Sequence, residues 1–188
     1  LSKAKESLSG FSNTSRPSSY LPEIIFYQGQ LYQKAKKNNE AYWLYRLLHI
    51  TYPTNQFTQQ AKVEMSKLAK LPGIIIKPLA IDEHAKRISE LLSNIQYRQV
   101  VIEVTELLKS KSPLPGKFYF YLAKAQKGLR EKKLANAALR KFLKHYPQHE
   151  RVQEALFTIG RNLWNIGHYH DGLKYFEKSI DKRPDSPL

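Results

Sequence analysis

The feature that most constrains this chain is a proline recurring at the end of a helix pair. Pro113, Pro147 and Pro184 stand 34 and 37 residues apart. Proline has no amide hydrogen to donate to the turn before it, so it closes a helix. In residues 149–184, HERVQEALFTIGRNLWNIGHYHDGLKYFEKSIDKRP, Leu156, Ile159, Gly160 and Leu163 fall at helical spacing. Gly167 breaks that helix and Tyr169 opens a second, on which Gly172, Leu173, Phe176 and Ile180 share a face. The small residues Gly160 and Gly172 let the two helices touch. Such a pair cannot bury its apolar face alone, so it requires neighbours.

The neighbours are in phase. In residues 118–147, Leu122 and Ala123 stand where Ile159 and Gly160 do, Ala135 where Gly172 does, and Leu139 where Phe176 does. Residues 24–53 repeat the pattern with Gly29, Tyr32, Ala41, Tyr45 and Pro53. The arrangement resembles the tetratricopeptide repeat, a helix–turn–helix unit of about 34 residues. The expected fold is all-α, a right-handed α-α superhelix of tetratricopeptide-like helical hairpins. Hairpins are expected over about 22–53, 82–112, 116–146 and 149–183, together forming a repeat domain over 21–188.

Between the first two hairpins the repeat is interrupted. Thr54-Asn55 offers an N-cap for an extra helix over 55–70, and Leu71-Pro72-Gly73 ends it. The connector 71–81 contains GIIIKPLAI, which is too short and too proline-broken for a helix and has no visible strand partner. Within the hairpins, turns are expected at Asn38-Asn39 and at Asn94-Ile95-Gln96, and Asp82 is an N-cap candidate. Residues 1–20, Ser-rich with Gly10 and Pro17, read as a short helix and a lead-in that caps the first repeat or serves as a linker.

No run approaches the ~18 apolar residues of a membrane span. The chain has no cysteine, which excludes disulfides and thiolate metal sites but leaves the compartment open. It begins at Leu1 and breaks off where another repeat would start, so a longer or processed parent protein is expected. Lys and Arg number 31 against 16 Asp and Glu, a net charge of +15. Such a surface favours polyanions: nucleic acid, anionic lipid or an acidic cell-wall polymer. Nucleic acid ranks last, because no nucleic-acid-binding motif accompanies the charge.

Three stretches carry a narrower resemblance. They are the aromatic first hairpin with its extra helix, SSYLPEIIFYQGQLYQKAKKNNEAYWLYRLLHITYPTNQFTQQAKVEMSKLA; the segment KPLAIDEHAKRISELLSNIQYRQVVIEVTELL, with Arg87, Leu91-Leu92, Tyr97 and Glu103; and HYPQHERVQEALFTIG. Together they are similar to the superhelical N-terminal region of soluble lytic transglycosylases, over most of residues 20–188. The Tyr-Pro repeat ends are shared with other periplasmic repeat proteins. The resemblance implies a helical scaffold in the periplasm, with a peptidoglycan-related role and no chemistry of its own. That family's catalytic glutamate lies in a Glu-Ser stretch followed by Gly-Leu-Met-Gln, a combination that does not occur here; the only methionine, Met65, sits in VEMSKLAK. Whether the parent protein is an enzyme stays open, and the alternative is a general protein–protein interaction adaptor.

The residues offer no catalytic constellation. Glu103 and Glu106 lie three apart on one helix, as a glycosidase pair would require, but read better as a solvated face. His168, His170 and Asp171 fall at a turn, where alternate residues do not face one another, and His145 and His149 read as surface. No cofactor and no metal are expected. The binding candidates come from a basic run: between residues 109 and 144 eleven Lys and Arg are opposed by Glu131 alone. By repeat register Lys117, Phe120, Lys124 and Lys127 line the inner groove, joined by Phe157, Arg161 and Trp164 from the next repeat, at spacings that keep each set on one face. Cations beside aromatics suit a protein partner, an acidic peptide or a peptidoglycan strand bearing carboxylates. The competing reading makes the lysines a solvated exterior and places Phe157 and Trp164 in the core between repeats.

Overall fold

The computed structural model describes residues 19–110 and 113–182. Most of the expected lead-in, the Lys111-Ser112 break and Pro184 lie outside the described residues. Nine α-helices run through the described residues, and no strand occurs among them: α1 (Leu21–Lys34), α2 (Asn38–Thr51), α3 (Gln56–Leu68), α4 (Ile81–Ser93), α5 (Tyr97–Ser110), α6 (Gly116–Gly128), α7 (Lys132–His145), α8 (Val152–Trp164) and α9 (Tyr169–Lys182). The fold is all-α and built from helical hairpins. It forms two compact units, divided inside α4 between Glu90 and Leu91.

One turn geometry makes every hairpin. The second residue past the first helix is left-handed in each: Lys36 (φ 57°), Ile95 (φ 60°), Arg130 (φ 65°) and Gly167 (φ 85°). Around it the same two backbone bonds close the helix end. Lys37 N donates to Tyr32 O and Lys36 N to Gln33 O, Gln96 N to Leu91 O and Ile95 N to Leu92 O, and the last two hairpins repeat them. This is the Schellman arrangement, which satisfies carbonyls that a helix end leaves without partners. The expected turn at Asn38-Asn39 is therefore corrected: the chain turns over Ala35–Lys37 and both asparagines belong to α2. Asp82 is likewise not the cap of α4. The carboxylate of Glu83 accepts from Ala80 N at 2.8 Å, the backward half of a capping box.

In the N-terminal unit α2 packs against both α1 and α3, which is why it is apolar nearly all round. Ile25, Phe26, Ala41, Tyr45, Leu48, Ala61 and Leu68 form its core. Gly29 is required there, since a Cβ would lie 2.4 Å from the buried Tyr45 ring. The Tyr45 hydroxyl donates to Gln33 Oε1, and Gln33 Nε2 donates to Glu64, so α1, α2 and α3 are tied by one chain of side chains. Asn55 caps α3 by accepting from Phe57 N. The connector is extended and held by α2. Asn39 donates to Gly73 O and accepts from Ile75 N; Arg46 donates to Lys77 O and Pro78 O and pairs with Glu83 at 2.6 Å. Two side chains thus replace the strand partner the connector lacks.

In the C-terminal unit the hairpins α6/α7 and α8/α9 stack through α7 and α8, and α5 packs on α6. The core runs through Val104, Phe118, Tyr119, Leu139, Phe142, Ala155 and Ile159, all fully buried. Gly160 and Gly172 do bring α8 and α9 together: each would place a Cβ 3.0 Å from the other's carbonyl oxygen.

Candidate functional site

The sequence-assigned groove residues all fall on first helices, Lys117, Phe120, Lys124 and Lys127 on α6 and Phe157, Arg161 and Trp164 on α8. Lys124, Lys127, Arg161 and Trp164 are exposed, while Lys117, Phe120 and Phe157 are half-buried. α6 carries no carboxylate, so its exposed face is purely cationic. The Arg161 guanidinium lies 5.6 Å from the Phe157 ring centre, and the Lys117 ammonium 5.9 Å from that of Phe118. These are the distances at which a ring face attracts a cation.

The aromatics are not in the core between repeats. Phe157 packs on Phe176 of its own hairpin at 5.6 Å between ring centres, and Trp164 stands edge-on to Tyr169 at 4.8 Å, with 49% of its surface exposed. The indole keeps an open flank beside Arg161's helix face, so one side of it is free to stack.

Sequence reading missed Arg151. Its guanidinium sits over the Phe120 ring at 3.6 Å and binds Glu154 through two hydrogen bonds of 2.7 and 2.9 Å. That hydrogen-bonded carboxylate raises the Arg151 pKa above the usual arginine value. Phe120 is thereby already covered on one face, with Phe142 edge-on at 4.9 Å beneath it. Arg151 precedes α8 and so falls outside the helical register that found the others; the only sequence signal was its (i, i+3) spacing to Glu154. His149 also departs from its surface assignment. It is half-buried, 5.3 Å from Phe142, and its Nδ1 accepts from Arg151 N.

The other candidates stay apart. Glu103 and Glu106 lie on α5, and His170 and Asp171 are exposed in the first turn of α9. Among the described residues no group of three His, Cys, Asp or Glu side chains converges as a metal site would. None of their helices is long and apolar enough to cross a membrane. An open apolar recess of about 340 Å³ lies between Leu143, Pro147, Val152 and Leu156, rimmed by Lys178 and Lys182. It holds no cluster of polar groups that could orient a small ligand.

Residues 118–149 and 154–186 match the family model of the tetratricopeptide repeat. No curated protein matches the sequence. Among solved structures, two of a MamA point mutant align over 88% and 89% of this chain and 99% and 94% of their own, both with a TM-score of 0.50, at 14% and 13% identity. A MamA MSR-1 structure aligns over 88% of this chain and 99% of its own with a TM-score of 0.48 and 14% identity. At such identities the likeness is one of fold. Nothing in these comparisons supports a relationship to lytic transglycosylases or an association with peptidoglycan.

Proposed function

From two hairpins that match the tetratricopeptide repeat, we propose that this chain is a non-catalytic protein–protein interaction scaffold. It holds an acidic segment of a partner protein against the first-helix face of α6 and α8. The observation that carries this reading is the pairing of unopposed cations, Lys124, Lys127 and Arg161, with the half-open Trp164 on equivalent helices. Carboxylates of an extended segment meet the cations, and an apolar or aromatic side chain meets the indole. The periplasmic glycan partner implied by the transglycosylase resemblance gains no support from the comparisons, so a protein segment is the reading taken forward.

The test is a titration of the intact chain with a glutamate-rich peptide containing one aromatic residue, read by Trp164 fluorescence with Trp43 replaced by Phe. Reversing Lys124 and Lys127 to Glu is expected to weaken binding by about tenfold or more, since charge reversal at a complementary surface costs on the order of 1–3 kcal/mol. Unchanged affinity in that variant ends the proposal. Tighter binding of an oligonucleotide of equal charge, with a steep loss on added salt, transfers the surface to nucleic acid.

A further inference from the structure

Within the C-terminal unit, the seam between α7 and α8 shows how one hairpin receives the next. Asn162 of α8 donates its amide to Asn136 of α7 at 2.8 Å, and the two are 0% and 1% exposed. Ala155, one helical face along, is fully buried in the same seam. The repeat register locates the corresponding positions in the first and last described hairpins. Leu31 follows Gly29 as Asn162 follows Gly160, and Ile24 precedes Gly29 as Ala155 precedes Gly160. On the last helix, Leu173 follows Gly172 as Asn136 follows Ala135, and Ile180 takes the place of Leu143.

These equivalents are apolar and open. Leu31 is 65% exposed and Ile24 36%, with Tyr27 between them at 49%; Leu173 is 50% and Ile180 51% exposed. Leu31, Tyr27 and Ile24 share one face of α1, and Leu173 and Ile180 share one face of α9. Apolar stripes at stacking positions are what a helical repeat buries against a neighbour. The α1 stripe has the register of a receiving first helix, and the α9 stripe that of a presenting second helix.

We infer that the α9 stripe of one copy stacks on the α1 stripe of another, in the way α7 stacks on α8 within the chain, with Leu173 against Leu31 where the internal seam has its asparagine pair. The contact is heterologous: each copy uses two different faces, so addition continues head to tail. At +15, copies repel one another at low ionic strength. Added salt screens that repulsion, so the association strengthens with salt. Binding of an acidic segment to α6 and α8 responds with the opposite sign, so failure of one reading is separable from failure of the other.

Sedimentation velocity of the intact chain over a concentration series, at low and high salt, is the test. The expected result is a mass that grows past the dimer with concentration and with salt. Leu31→Glu and Leu173→Glu each leave a monomer with unchanged far-UV circular dichroism. Because each variant keeps the face the other lacks, an equal mixture of the two returns to a dimer and goes no further. A wild-type chain that stays monomeric up to its solubility limit overturns the inference. So does a mixture that remains monomeric, or one that assembles beyond the dimer. A fall in melting temperature of Leu31→Glu without any change in mass also overturns it, since that stripe is then covered by the chain's own residues.

Discussion

At the scale of single residues, the hairpin turns carry an uneven load. All four need a left-handed residue, yet only the last supplies glycine. Ile95 is the worst placed, because a β-branched side chain at positive φ crowds the following carbonyl. Its side chain is 69% exposed, so little packing is lost by removing it. Ile95→Gly is expected to raise stability by about 1 kcal/mol, read as a higher midpoint in urea. Tyr45 supplies a pH-dependent counterpart. Burial, and secondarily the Glu64 carboxylate, push its phenol from 10.0 up to about 12. The fold favours the neutral phenol, so its contribution is complete below the unfolded value and is lost as pH rises from about 10 through about 12. Chemical denaturation between those limits is expected to show a decline in stability that is shallower in Tyr45→Phe. Near neutral pH that variant is about 1 kcal/mol less stable, through the lost bond to Gln33.

At the scale of elements, the hairpins were legible because each rests on local information: a 3.6-residue apolar period, small residues at the crossing and a closing proline. What failed was local chemistry overruled by register. Asn38-Asn39 has turn-forming side chains, but the repeat sets its left-handed residue at Lys36, leaving Asn39 free to latch the connector. The connector's anchoring could not be read, since Asn39 and Arg46 act on residues more than thirty positions away. The site was legible to the same extent as the helices: register placed its residues on α6 and α8, whereas the covering of Phe120 by Arg151 depends on how two hairpins meet. That meeting is testable at the α7–α8 seam. Asn136→Val leaves the Asn162 amide donor without its partner in a dry seam and is expected to cost about 1–3 kcal/mol. Adding Asn162→Val should return most of it, because two apolar groups need no partner; the coupling is measured by a double-mutant cycle in urea.

At the scale of the whole molecule, a net charge of +15 is distributed over helical hairpins that each settle against a near neighbour in sequence. The cations lie on faces that hairpin packing does not use, so they are available to a partner without cost to the fold. The apolar stripes of α1 and α9 lie at stacking positions. The molecule therefore presents two kinds of surface with contrary responses to salt, and a single ionic-strength series, followed by peptide affinity and by sedimentation, separates them. The asparagine seam also limits how the chain could be rebuilt. A duplicated or transplanted α8/α9 hairpin carries a buried amide that only a matching amide can answer, so shuffling that brings one without the other fails at the joint. The sequence of hairpins is thereby written into the molecule by a lock and its key, not by shape alone.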